Sequence, residues 1–262
     1  VPELPEVETY RQLAERAALG RVVADVDAHD AWILKGGIDA AAVVGALTGR
    51  SFVAAGRRGK LLLLATSGDG PVLGLRFGMT GRLSVDGDPG VDALRYSPRR
   101  VEARWDRFGL GFEDGGHLRL QDPRRLGGVE LDPDVRRLGP DALTITAAQL
   151  AAALAGSDVA LKARLLDQHR VAGIGNLIAD EILWRAGLSP ERRAGSLDPA
   201  DVRRLHRHLR SGLALLIGRG GAHTGDLGPH RQPGGRCPKD GEALRRSTVG
   251  GRTSWWCPAH QH

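Results

Sequence analysis

Apolar and polar residues follow two rhythms along this chain, and the change falls near its middle. From Pro5 the spacing is helical. Tyr10, Leu13, Ala14, Ala17 and Ala18 form one apolar stripe, Pro5 suits a first helical position, Glu6 and Glu8 favour the positive end of the helix dipole, and Gly20 ends the segment. From Arg21 to about Asp132 the pattern shortens into β-rich runs at Arg21 to Val26, Ser51 to Thr66, Pro71 to Met79, Val101 to Phe112 and His117 to Gln121. Dense turns such as Ser67-Gly68-Asp69-Gly70 and Asp86-Gly87-Asp88-Pro89-Gly90 separate them, which predicts a β-sandwich. Asp132 to Ile145, with Pro133, Gly139 and Pro140, reads as a linker. Ala/Leu-rich helical periods run from Thr146 to about Leu216, and from Gly218 a Gly/Pro/His-rich loop leads into a tail bearing both cysteines. The expected class is α+β in three parts: a sandwich with a flanking helix at 1–132, helices at 133–217, and a loop with a terminal hairpin at 218–262.

Charge narrows the partners. The 262 residues are long enough for one large or two medium domains, and 37 basic against 31 acidic side chains give a net charge of +6. That balance makes a nucleic acid a serious candidate partner. Only Lys35, Lys60, Lys162 and Lys239 are lysines, so a lysine inside a motif is conspicuous. No run of about 20 apolar residues and no signal peptide is visible, which predicts a cytoplasmic or nucleoid-associated protein without a membrane partner. Two cysteines, Cys237 and Cys257, argue against a disulfide framework.

The most informative chemistry stands at the start, where Val1 precedes Pro2 and Glu3. If Val1 is a GTG start codon translated as Met and then trimmed, Pro2 presents a secondary amine, part of it unprotonated at neutral pH. Such an amine attacks a sugar C1′ and forms an iminium that stays cationic and drives later eliminations. Glu3 would be a carboxylic acid within reach of the same sugar. With Val1 in place the Pro2 nitrogen is an amide and attacks nothing. The alternative for the whole segment is an ordinary structured terminus, which accounts for Pro5 but not for Pro2 and Glu3.

Further along, Cys237-Pro238-Lys239-Asp240 and Cys257-Pro258-Ala259-His260 are two knuckles separated by 16 residues, able to supply four donors to one Zn²⁺. Asp and His in place of two thiolates lower the expected affinity, and a metal-free hairpin is the alternative. Arg252 lies between the knuckles, able to point into DNA. Gly173-Ile174-Gly175-Asn176 opens a helix, an arrangement that suits a phosphate or a plain helical turn. Lys60 follows Arg57-Arg58-Gly59 at a strand start, either a proton donor or phosphate ligand or a solvated edge lysine. Gly78-Met79-Thr80-Gly81 and Asp122-Pro123-Arg124-Arg125-Leu126-Gly127 read as tight loops with an apolar tip, the second carrying Arg124. Such tips suit a wedge between base pairs, although Met79 and Leu126 also suit a core.

Together these segments resemble the formamidopyrimidine-DNA glycosylase/endonuclease VIII family of bifunctional DNA glycosylases, as a divergent branch. The resemblance runs through PELPEVE, RRGK, FGMTGRL, DPRRLG, LGPDAL, LLDQHRVAGIGNLIADEILWRAGLSP and the terminal finger, in order, over almost the whole chain. It implies an N-terminal β-sandwich, a helix-two-turns-helix domain and a zinc-finger hairpin. It further implies base-excision repair on double-stranded DNA containing a damaged base or abasic site, by a monomer with a structural Zn²⁺ and no redox cofactor.

By matching positions, the resemblance makes Pro2 the Schiff-base nucleophile and Glu3 the acid at the deoxyribose ring oxygen, a role that needs a raised carboxyl pKa. Lys60 assists β-elimination and contacts DNA, while Arg252 grips a phosphate and donates a proton at δ-elimination. Asn176, Glu181 and Lys162 contact DNA, and Met79, Arg124 and Leu126 fill the gap left by the everted nucleotide. Cys237, Asp240, Cys257 and His260 are the metal ligands. The chain departs from the family at Asp240 and His260, where cysteines are usual. It departs also at Leu126, where purine-specific members commonly carry Phe, at Trp105, which aligns with a DNA-contacting His, and in a short 218–236 loop. The rival readings are a catalytically silent damaged-DNA binder that retains Val1, and a zinc-finger transcription factor. The second fits poorly, because no recognition helix follows the finger.

Overall fold

The computed structural model describes residues 2–91, 94, 98, 100 and 102–262. Val1 and the first residue of the predicted Val101–Phe112 run lie outside the described residues. Contacts divide the chain into two compact units, 1–135 and 136–262.

In the first unit, helix α1 (Leu4–Ala17) begins where the sequence predicts. Pro5 stands in its first turn, and the Glu3 N–H donates to the Glu6 carboxylate at 2.9 Å, satisfying one of the orphan donors of a helix start. Eight strands follow: β1 (Val23–Asp27), β2 (Phe52–Arg58), β3 (Leu61–Thr66), β4 (Val72–Arg76), β5 (Arg82–Val85), β6 (Asp106–Phe112), β7 (His117–Gln121) and β8 (Gly128–Leu131). They form two antiparallel four-stranded sheets, ordered β1-β6-β7-β5 and β2-β3-β4-β8, as expected for the sandwich. Leu62 and Leu64, Leu73 and Leu75, Phe108 and Leu110, and Leu118 and Leu120 alternate inward, joined by Val7, Tyr10 and Leu13 of α1 in one core. Each such fully buried side chain contributes about 1.5–3 kcal/mol.

Local details differ from the sequence reading. Ser51 to Thr66 is two strands, because Gly59 takes a left-handed φ of +58° and turns the chain at Lys60. An additional helix, α2 (Ala40–Leu47), stands in the β-rich half, with the Asp39 carboxylate accepting from the Ala42 N–H at 2.7 Å. It buries only Val43 and Leu47, too few positions to declare a helical period.

The second unit holds α3 (Ala147–Leu154), α4 (Leu161–Leu166), α5 (Asn176–Ala186), α6 (Pro199–Gly218) and the hairpin β9 (Arg245–Val249) and β10 (Arg252–Trp256). Helix α5 is buried nearly all round, which makes it the unit's central element. Helix α6 packs close against it: a Cβ at Gly212 would fall 2.2 Å from Ile182 Cδ1. The terminal hairpin is part of this unit and packs on α5. The predicted linker is partly ordered into it as well, since the Ala142 N–H donates to the Ala172 carbonyl at 2.8 Å.

Candidate active site, nucleic-acid interface and metal centre

Pro2 and Glu3 are buried at the head of α1, with Glu3 only 1% exposed. One turn on, the Glu8 carboxylate pairs with the Arg57 guanidinium at 2.9 Å, and Arg57 also donates to the Gly59 carbonyl at 2.8 Å. Arg57 therefore ties the start of α1 to the hairpin turn that carries Lys60, which is half-buried. Through the Glu8–Arg57 pair, helix α1 and the turn that carries Lys60 are joined although nearly fifty residues separate them in sequence.

The two proposed wedge loops also come together. A Cβ at Gly78, whose φ is +54°, would fall 2.5 Å from the Leu126 carbonyl carbon, so the loops touch backbone to backbone. Asp122 organises both. Its carboxylate accepts from the Arg124, Leu126 and Gly127 N–H groups at 3.2, 2.8 and 2.7 Å and from the Thr80 hydroxyl at 2.5 Å. Leu126 is left 49% exposed beside exposed Arg124, while Met79 is half-buried. An exposed leucine on a loop anchored by four hydrogen bonds to one buried carboxylate is not a failed core residue.

Sequence reasoning missed the side of this platform formed by Asp30 and Trp32. Asp30 binds the Arg125 guanidinium through two contacts of 2.9 and 2.5 Å. Burial pushes the Asp30 carboxyl up, but Arg125, the Trp32 N–H and Arg107 outweigh it and leave the carboxyl below its usual range. Trp105, at the position of the expected DNA-contacting His, is half-buried, and its carbonyl accepts from the Asp122 N–H at 2.9 Å.

In the second unit the Gly173–Gly175 turn is stapled by Gln168. Its amide donates to the Leu166 and Ile174 carbonyls and accepts from the Gly173 N–H, all within 2.9 Å. Asn176 follows as the first residue of α5, half-buried, with its Oδ1 out of water and unpaired among the described residues. The N-terminus of α5, where Asn176 stands, carries the positive end of the helix dipole, which favours an anion.

Lys162 and Glu181, expected at the DNA surface, are placed elsewhere. Lys162 is fully buried; its ammonium contacts Asp180 Oδ1 at 2.7 Å and donates to the Thr253 carbonyl at 2.9 Å. Asp180 also accepts from Arg231 at 2.7 and 3.0 Å, from the Ser254 hydroxyl at 3.2 Å and from the Trp255 N–H at 3.1 Å. Glu181 is spent on Arg185 and on the N–H groups of Asp226 and Leu227. A side chain committed inside the protein cannot reach a phosphate outside it. What Lys162 and Asp180 hold is β10, whose first residue is the exposed Arg252. The signal for this node was two carboxylates inside the otherwise apolar run of α5, which only partners can make tolerable.

Cys237, Asp240, Cys257 and His260 converge, with ligand atoms all within 4.8 Å of one another. Cys237 Sγ lies 3.8 Å from His260 Nδ1, and Cys257 Sγ 3.3 Å from Asp240 Oδ2. Ligand bonds of roughly 2.0–2.3 Å in a tetrahedron produce edges of about 3.3–3.8 Å, so this donor set fits one metal ion. The outer contacts suit it too. His260 Nε2–H donates to the Trp184 carbonyl at 3.3 Å, a tautomer that leaves the Nδ1 lone pair to the cluster, and the Trp184 indole N–H donates to Cys237 Sγ at 3.3 Å. The Glu242 N–H and His260 hold the Asp240 carboxyl well below its usual range, whereas burial pushes the Cys257 thiol up to about 11. No helix among the described residues is long and apolar enough to cross a membrane.

A buried carboxylate at the head of α1, two loops joined at Gly78 and Leu126, and a glycine turn opening α5 are the features that the comparisons bear on. Residues 1–129 match the formamidopyrimidine-DNA glycosylase N-terminal domain, and residues 138–226 match the formamidopyrimidine-DNA glycosylase H2TH domain. The chain belongs to the formamidopyrimidine-DNA glycosylase family. It is 35% identical over 288 residues to formamidopyrimidine-DNA glycosylase of Paracoccus denitrificans, covering all of both chains. Its fold is similar to that of Lactococcus lactis Fpg bound to abasic-site DNA, with a TM-score of 0.82, 27% identity and full coverage of both chains. It is similar also to Lactococcus lactis Fpg bound to DNA containing an oxidized pyrimidine, at a TM-score of 0.83 and 27% identity, again covering both chains fully.

Proposed function

We propose that the protein is a base-excision DNA glycosylase with abasic-site lyase activity, acting on duplex DNA with a damaged base or abasic site. The observation that carries this reading is the pair Pro2–Glu3, buried at the head of α1 and tied by Arg57 to the Lys60 turn. Pro2, freed of Val1, attacks C1′ and displaces the damaged base, while Glu3 protonates the ring oxygen and opens the sugar. The iminium acidifies the C2′ proton; its removal breaks the 3′ phosphodiester, and a second elimination breaks the 5′ one. Lys60 and Arg252 move protons and hold phosphates in these steps, Asn176 binds a phosphate, and Met79, Arg124 and Leu126 fill the vacated stack. Lys162 and Glu181 serve as positioning residues beneath this surface.

Borohydride trapping on abasic duplex tests the reading. A chain whose mature terminus is Pro2 is expected to form a covalent protein–DNA band, and both Pro2→Gly and a chain retaining Val1 are expected to lose it. DNA binding with no band from the Pro2-initiated chain overturns catalysis in favour of a silent damage binder.

The four-donor cluster belongs, on this reading, to a structural Zn²⁺ that closes the hairpin; when bound, it supplies cross-linking and no chemistry to the reaction. One zinc per chain is expected by elemental analysis. Cys257→Ser should lose it, and with it at least about 4 °C of thermal midpoint, since 1 kcal/mol moves a chain of this size by roughly 2–4 °C. Full stability without metal would refute the assignment.

A further inference from the structure

Trp32 is the most exposed large apolar side chain among the described residues, at 64%. It is nonetheless held on three sides. Its backbone N–H donates to Asp30 at 3.1 Å, its carbonyl accepts from Lys35 Nζ at 2.6 Å, and its indole N–H donates to the Arg125 carbonyl at 3.1 Å. Arg125 has a left-handed φ of +54° and immediately precedes Leu126, the exposed wedge tip. The Lys35 ammonium and Arg125 guanidinium stand 5.5 and 5.9 Å from the ring centroid. A rigid aromatic ring left open to water, flanked by two cations and fixed beside a wedge, has the makings of a nucleobase platform.

We infer that Trp32 stacks on the base opposite the lesion. This rests on the repair reading above and deepens it. Bases in an intact duplex are covered on both faces, so an aromatic ring finds a partner only where a step has been opened. Eversion of the damaged nucleotide deprives one base of its partner, and the Leu126 tip forces that step apart. The ring and the tip, held together through the Arg125 carbonyl, then act on the same opening, Leu126 as the wedge and Trp32 as the receiving surface. Lys35 and Arg125 add attraction for the adjoining phosphates.

The experiment uses the full chain and duplexes carrying 2-aminopurine opposite a stable abasic-site analogue, with Trp32→Ala and Trp32→Phe. Wild type is expected to quench the 2-aminopurine on binding. Trp32→Ala should leave it bright and bind about tenfold more weakly, because stacking on one aromatic ring is worth roughly 1–3 kcal/mol. Trp32→Phe, which retains a ring but lacks the N–H to Arg125, should quench and should bind within about threefold of wild type. Equal loss in both variants would overturn the inference by showing that only the anchor to Arg125 matters. So would wild-type affinity in Trp32→Ala, or a changed sedimentation coefficient with unchanged DNA affinity, which would mark a contact between copies. If wild type itself neither binds nor traps abasic duplex, the repair reading fails and the inference falls with it.

Discussion

Glu3→Gln will leave the protein folded and slow single-turnover base removal by about 10²–10⁴-fold, the range that a positioned general acid contributes. Glutamine matches glutamate in shape; the Glu3 N–H still donates to the Glu6 carboxylate, and an amide oxygen at position 3 can still accept from the Glu6 N–H in the capping box. What glutamine cannot do is deliver a proton to the sugar ring oxygen. At 1% exposure, bulk water has poor access to take over that task. The check is excision kinetics with enzyme in excess, alongside a thermal melt to establish folding. A rate within threefold of wild type would remove Glu3 from the mechanism.

The second large effect is on stability, at the buried node of the second unit. Asp180→Ala takes the shared carboxylate from Lys162, which is fully buried, and from Arg231, whose side chain is 5% exposed. Uncompensated buried charge of this kind costs about 3–5 kcal/mol. Lys162→Met should cost less, because Asp180 keeps Arg231, the Ser254 hydroxyl and the Trp255 N–H. Urea unfolding of the full chain measures both. The expected order is Asp180→Ala far below Lys162→Met, and a reversed order would contradict the network described. Because these groups hold Thr253 to Trp255, loosening them should also weaken any phosphate contact made by Arg252.

Several features were legible along the chain because their cause is local. Pro5 and Glu6 announce the start of α1, and the leucine run of β3 with the alternating leucines of β4 announces buried strands. The spacing of Cys237, Asp240, Cys257 and His260 anticipated their convergence. The five exposed residues of α2 hid that helix, and a single glycine turn made two strands look like one. Lys162 shows the harder failure. Its place in a motif suggested a DNA contact, but position in a motif does not say which way an ammonium points.

By itself, then, the order of residues determined the class of fold, the convergence of the candidate metal donors and the family, since these depend on residue type and short-range spacing. Tertiary structure alone decided that Arg57 joins the first helix to the Lys60 turn, that Asp122 and Trp32 brace the loop that carries Leu126, and that Lys162 and Glu181 face inward. The physical reason is that burial and charge pairing are properties of neighbours in space. Asp180 touches residues 18 positions before it and more than 70 after it, and no periodicity in a sequence encodes such a meeting.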